Sequence, residues 1–136
     1  MSTTSRLSRS PLKIISAALL AVGMTQPASA VEEKNFSFDT TEDLVRVCSV
    51  EASDAAFTAS QVACTAFIEA TVQYHDAVSN KKQLKRLACY PQGATIADGR
   101  TAFLAWAEQN KGNAQRMGEM PVVGLMRALA KAYPCK

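Results

Sequence analysis

The sequence predicts an all-α fold, a small four- to five-helix bundle stapled by two disulfides, and three observations predict it. The stretch after residue 30 holds 18 Ala but only three Pro and five Gly, a composition that favours helices and seldom interrupts them. Its apolar residues recur at spacings of three, four and seven, and few alternating runs mark strands. Its four cysteines, Cys48, Cys64, Cys89 and Cys135, form an even set in a chain too short for two cores, as in small exported domains.

Residues 1–30 read as a Sec-type secretory signal peptide. Arg6, Arg9 and Lys13 precede an apolar run over residues 14–24, and Ala28-Ser29-Ala30 supplies small residues for cleavage. This eleven-residue run falls short of the roughly 20 apolar residues that a membrane-spanning helix needs. Cleavage after Ala30 leaves one domain, residues 31–136, expected in the periplasm with no further membrane span.

Residues 31–39 are expected to be a polar, partly mobile lead-in. The run Asp39-Thr40-Thr41-Glu42-Asp43 offers overlapping capping boxes for a first helix over residues 41–50, with Leu44, Val47 and Cys48 facing inward. Acids in its first turn suit the helix dipole. Residues 54–79 contain neither Gly nor Pro and predict the longest helix. Phe57, Cys64, Phe67, Ile68, Thr71, Tyr74 and Val78 form its inward stripe, and Glu69, Gln73 and Asp76 another face. Ser79-Asn80 ends it, and Cys89-Tyr90-Pro91-Gln92-Gly93 makes a turn. Thr95 caps a third helix with Asp98 at the capping-box position, burying Ile96, Phe103, Trp106 and Ala107. After the break at residues 110–113, the stretch to Met120 predicts a loop with a short helical turn. Pro121 suits the first position of a last helix, where its missing N–H is harmless, with Val122, Leu125, Met126, Leu129 and Ala132 as the apolar stripe.

Four cysteines permit three pairings. Chain order favours Cys48 with Cys64 and Cys89 with Cys135, since each pair joins segments that neighbour one another in a small bundle. A zinc site lacks a CxxC pair and has a single histidine to draw on.

Charge excludes one partner class. The chain has 15 basic and 12 acidic residues, but the leader holds three of the bases and no acid. The domain is therefore balanced, which argues against nucleic acid or an anionic membrane as partner. Catalytic chemistry finds little support. His75 and Asp76 are adjacent, and neighbours on a helix point about 100° apart, so they are not expected to form a dyad. Glu69 and Asp76 share a helix face but read as solvated. Gly93, Gly99 and Gly112 are isolated and make no phosphate loop. No cofactor and no metal are expected, and the residues read as those of a binding or structural protein, not an enzyme.

Four segments taken together carry a family resemblance. They are Thr41-Glu42-Asp43-Leu44 with Cys48; Cys64-Thr65-Ala66-Phe67-Ile68-Glu69-Ala70; Cys89-Tyr90-Pro91 with Gly93-Ala94-Thr95; and Ala128-Leu129-Ala130-Lys131-Ala132-Tyr133-Pro134-Cys135. In this order the chain resembles the Rap/Tai family of periplasmic immunity proteins over about residues 39–135. That family protects type VI secretion bacteria from peptidoglycan-cleaving amidase effectors. The resemblance implies a helical bundle that binds a secreted peptidoglycan amidase effector and occludes its active-site cleft. Ala66 and Ala70 stand where the family's central helix carries glycines, which predicts a stiffer helix and a wider crossing there.

Two segments are the expected partner contacts. Lys81, Lys82, Lys85 and Arg86 form the one charge run and suit an acidic surface. Arg116, Met117 and Met120 offer a mix of charge and adaptable apolar contact. A homodimer is compatible with the sequence. The competing reading is a general periplasmic binding or acid-stress chaperone-like protein. Neutralising the 12 acids between roughly pH 2 and 4 would then open the bundle by self-repulsion.

Overall fold

The capping box at Thr40 fixes where the first helix begins, and the rest of the bundle is built around that helix. A computed structural model describes residues 30–79 and 84–136. Helix α1 is Thr41–Cys48, α2 Phe57–Ser79, α3 Ile96–Asn110, α4 Ala114–Met117 and α5 Pro121–Ala132. Among the described residues there is no strand. Helix α1 packs against α2, α3 and α5, and α3 packs against α2 and α5.

Thr40 Oγ1 accepts the Asp43 N–H at 3.2 Å while Asp43 Oδ2 accepts the Thr40 N–H at 2.9 Å. These two bonds satisfy donors that a helix start would leave unpaired. The lead-in, expected to be partly mobile, is instead a short 3-10 helix, Glu33–Ser37. Asn35 is buried, its Oδ1 accepting the Glu32 N–H and its Nδ2 donating to Asp43 Oδ1 at 2.7 Å. Burial pushes the Asp43 carboxyl up, but the bonds from Asn35 and Thr40 outweigh it and hold the group below the usual range.

Helix α1 stops at Cys48, two residues short of the expectation, where Arg100 of α3 donates from Nε to the Cys48 carbonyl at 2.8 Å. A cation there satisfies an orphan carbonyl and complements the negative helix end. Helix α2 starts three residues later than expected, because Asp54 Oδ1 accepts the Ala56 N–H and closes a turn first. Its buried line is Ser60, Cys64, Ile68 and His75. Tyr74, expected inside, is 71% exposed, because a buried line through Cys64, Ile68 and His75 turns the position before His75 outward. Ala66 and Ala70 are exposed as well, so no crossing of helices within the bundle depends on them.

Helix α3 has the predicted capping box of Thr95 and Asp98, and the Thr95 N–H and hydroxyl bonds hold the Asp98 carboxyl below its ordinary value. Leu44, Val47, Ile68, Phe103, Leu125 and Leu129 are fully buried, each contributing about 1.5–3 kcal/mol through burial. Both disulfides follow the chain-order pairing. Cys48–Cys64 ties α1 to α2, and Cys89–Cys135 ties the segment after α2 to the residues beyond α5.

Helix α5 buries Pro121, Gly124, Leu125, Ala128 and Leu129. Its inward face is therefore turned from the stripe expected from residue size: Val122 and Ala132 are exposed and Met126 is half-buried. Small residues sit where α1 comes closest, and larger apolar ones are left outside.

Candidate partner-binding surface

Helix α5 has more apolar residues than one buried face can use. Val122, Val123, Met126 and Ala130 are left on its outer side, and with Leu87 and Arg127 they line an open groove of about 410 Å³. Leu87 is 55% exposed and Val122 39%. Because Leu87 comes from the segment before the Cys89 turn, the groove joins two parts of the chain 35 residues apart.

Both walls are held. Behind Leu87, the Cys89 N–H donates to the Tyr133 carbonyl at 2.8 Å beside the Cys89–Cys135 bond, and the Leu87 N–H donates to His75 Nε2 at 3.1 Å. From the middle of α5, Arg127 makes a two-pronged pair with Glu119 just before the helix, both bonds at 2.9 Å. The Arg127 guanidinium holds the Glu119 carboxyl below its ordinary range, and Glu119 in turn raises Arg127. The Glu119 carbonyl accepts from Thr41, which fastens this corner to α1.

A second, larger cleft of about 800 Å³ lies between α1, α3 and α4, with Val45, Leu104, Ala107 and Met117 in its lining. Its rim carries the ion pairs Glu42–Arg46 at 2.6 Å and Glu108–Lys111 at 2.5 Å. Such exposed pairs are worth at most about 1 kcal/mol each, yet burying their charges under a partner costs several kcal/mol unless each is paired again. The groove on α5 is lined by apolar side chains except for Arg127, which is already paired with Glu119, so fewer charges would be covered there and it is the better seat for an apolar anchor.

The expected contact residues meet different fates. Lys81 and Lys82 lie outside the described residues. Lys85 is exposed. Arg86 is half-buried and committed within the fold, donating to Asp76 Oδ1 at 2.6 Å and to the Ala88 carbonyl at 3.2 Å. Arg116 donates to Asn110 Oδ1. Met117 is a correction: it is 7% exposed and belongs to the core, because the α4 turn points it between α1 and α3. Met120 is 63% exposed and precedes α5 directly. The two expected segments thus stop just short of the groove, at Arg86 before Leu87 and at Met120 before Val122. The signal that would have found it is the surplus of apolar residues in α5, too many for one stripe.

Asp76 and His75 are also a correction. Although adjacent, they meet, with His75 Nδ1 3.0 Å from Asp76 Oδ1, because the carboxylate bends back toward a buried ring. The ring's other nitrogen is occupied by Leu87, so the pair braces the fold. Among the described residues, no cluster of three or more His, Cys, Asp or Glu is placed to hold a metal ion. No helix of the described residues is long and apolar enough to cross a membrane.

The model of one protein family, Rap1a immunity proteins, matches residues 40–135, from the Thr40 cap to the second cysteine of the Cys89–Cys135 bond. The chain belongs to the Rap1a immunity protein family. No curated protein and no solved structure matches it. Membership makes it an immunity protein that acts against a secreted effector, and the two disulfides of this Rap1a protein fit an exported chain.

Proposed function

We propose that this Rap1a protein is exported by cleavage after Ala30 and that residues 31–136 act in the periplasm as a stoichiometric inhibitor, not an enzyme, of a type VI secreted peptidoglycan amidase. The groove of Leu87, Val122, Val123 and Met126 receives an apolar anchor of the effector, and the bound protein covers the effector's substrate cleft. The observation that carries the surface is an exposed apolar groove with both walls fixed, so that binding orders little new chain. Lys85, two residues before Leu87, and Arg127 on the rim favour an effector surface with acids around its anchor. Met120, directly before α5, and Arg116, four residues earlier, extend the contact beyond the groove, and Lys81 and Lys82 add positive charge to it.

The test is co-expression. An amidase effector directed to the periplasm should lyse the host alone and spare it when the full chain is present, and purified oxidised protein should abolish its peptidoglycan cleavage at a one-to-one ratio. Lysis undiminished by the full chain, with amidase activity unaffected, for every secreted amidase of the source organism and its competitors would reject this reading.

A further inference from the structure

In the groove's outer wall the Leu87 N–H is held by one histidine. His75 is 6% exposed, and both of its ring nitrogens are engaged. Asp76 Oδ1, already accepting from Arg86, can offer only an acceptor to Nδ1 at 3.0 Å. Nδ1 therefore carries the proton. Nε2 is then bare, and that is what allows it to accept the Leu87 N–H at 3.1 Å. Only the neutral ring can make both bonds.

We propose that His75 is the positioning residue of the docking groove and a pH-sensitive latch on it: the neutral ring holds Leu87 in place, and the protonated ring releases it. A proton on Nε2 sets two N–H donors face to face, so the Leu87 amide loses its protein partner. Histidine is the side-chain type that can exchange one bare nitrogen for a second N–H donor without any change elsewhere in the fold. The groups facing the ring are few. Asp76 is on its own helix, and its charge is already matched by Arg86 from the segment opposite. It accommodates an imidazolium but cannot restore the bond to Leu87. Tyr90 meets the ring edge-on with centroids 6.1 Å apart, and Tyr133 packs behind Tyr90. Burial and then Asp76 push the Tyr90 hydroxyl above its ordinary value, so it stays neutral throughout. Release loosens the chain at Leu87 alone, since Arg86 keeps its bond to Asp76 and Ala88 stays buried, and the groove loses a fixed Leu87 wall. The effect on effector binding rests on the groove proposed above; the latch itself does not.

The test is amide hydrogen exchange on the oxidised full chain, read as protection factors at about pH 7.5 and about pH 5, in wild type, His75→Gln and His75→Leu. Gln keeps an acceptor for Leu87 that does not titrate. The wild-type Leu87 amide should lose about tenfold protection or more in acid, the equivalent of one net hydrogen bond, while Val47 and Leu129 in the core stay unchanged. His75→Gln should hold its protection at both pH values, and His75→Leu should lack it at both. Equal wild-type protection at the two pH values, or an equal acid loss in His75→Gln, overturns the latch. With an inhibited amidase in hand, its affinity should fall with Leu87 protection in wild type and stay flat in His75→Gln. Lost protection with unchanged affinity overturns the positioning role and the groove together. Failure to find an amidase would instead count against the proposed function and leave the latch to stand or fall on exchange.

Discussion

Gly124 of α5 lies so close to Thr41 of α1 that a Cβ built on the glycine would stand 2.9 Å from the Thr41 Cβ and nearer still to Thr41 Cγ2 and Oγ1. Thr41 cannot withdraw. Its N–H donates to the Glu119 carbonyl at 2.7 Å, and its buried hydroxyl donates to the Glu119 and Met120 carbonyls.

Gly124→Ala is therefore expected to destabilise the protein by about 1–3 kcal/mol through overpacking, although alanine alone would favour the helix by about 1 kcal/mol. Gly99→Ala in α3 provides the contrast. A Cβ there meets Ile68 and Leu129 side chains at 3.4 and 3.7 Å, ordinary contact distances, so the helix gain should remain and stability should be unchanged or higher. Urea unfolding of the oxidised proteins separates the two.

The disulfides should differ in their response to reductant. Cys48 and Cys64 are fully buried, whereas Cys89 is exposed. Graded thiol treatment followed by alkylation and mass mapping should label Cys89 and Cys135 first. By the loop-entropy relation, removing the pair separated by 46 residues should cost about 4 kcal/mol and the pair separated by 16 about 3 kcal/mol. Simultaneous labelling of all four thiols would show that the molecule opens as one unit.

Asp43 should make a measurable contribution to acid sensitivity. Its folded carboxyl sits below its unfolded value, so the stability it supplies is complete above about pH 4 and is lost as pH falls through the folded value. The difference in unfolding free energy between wild type and Asp43→Asn should be constant from neutrality to about pH 5 and shrink below about pH 4. A difference that grows in acid would mean that the carboxylate strains the cap at Thr40.

Much of this was legible in the sequence. The Thr40 and Thr95 caps, the Pro121 start and the disulfide pairing follow from local chemistry, which acts over a few residues or over the order of segments in a small bundle. What was not legible depends on which residues meet across the fold. Size put Tyr74 inside and left His75 unassigned, because a histidine is a good core residue only when both ring nitrogens find partners, and the Leu87 N–H comes from 12 residues away. The apolar stripe of α5 was turned for a similar reason: Gly124 faces Thr41 of α1, where close approach outweighs bulk, and this leaves Val122 exposed and Met126 half-buried. Charge and flexibility marked residues 81–86 and 110–120 as contacts, yet Arg86 and Arg116 are tied within the fold and Met117 is core. The apolar residues just beyond each segment form the groove.

The central claim is that the groove on α5 receives a secreted amidase. The most direct measurement is a calorimetric titration of the inhibited amidase with oxidised wild type, Val122→Asp, Met126→Asp and, as a control outside the groove, Val62→Asp on the exposed face of α2. The account predicts one-to-one binding that weakens at least about thirtyfold for both groove variants, the size of a hot-spot loss, with the Val62 variant unchanged and all four proteins equally folded. Wild-type affinity in both groove variants, or a loss confined to Val62→Asp, would contradict it.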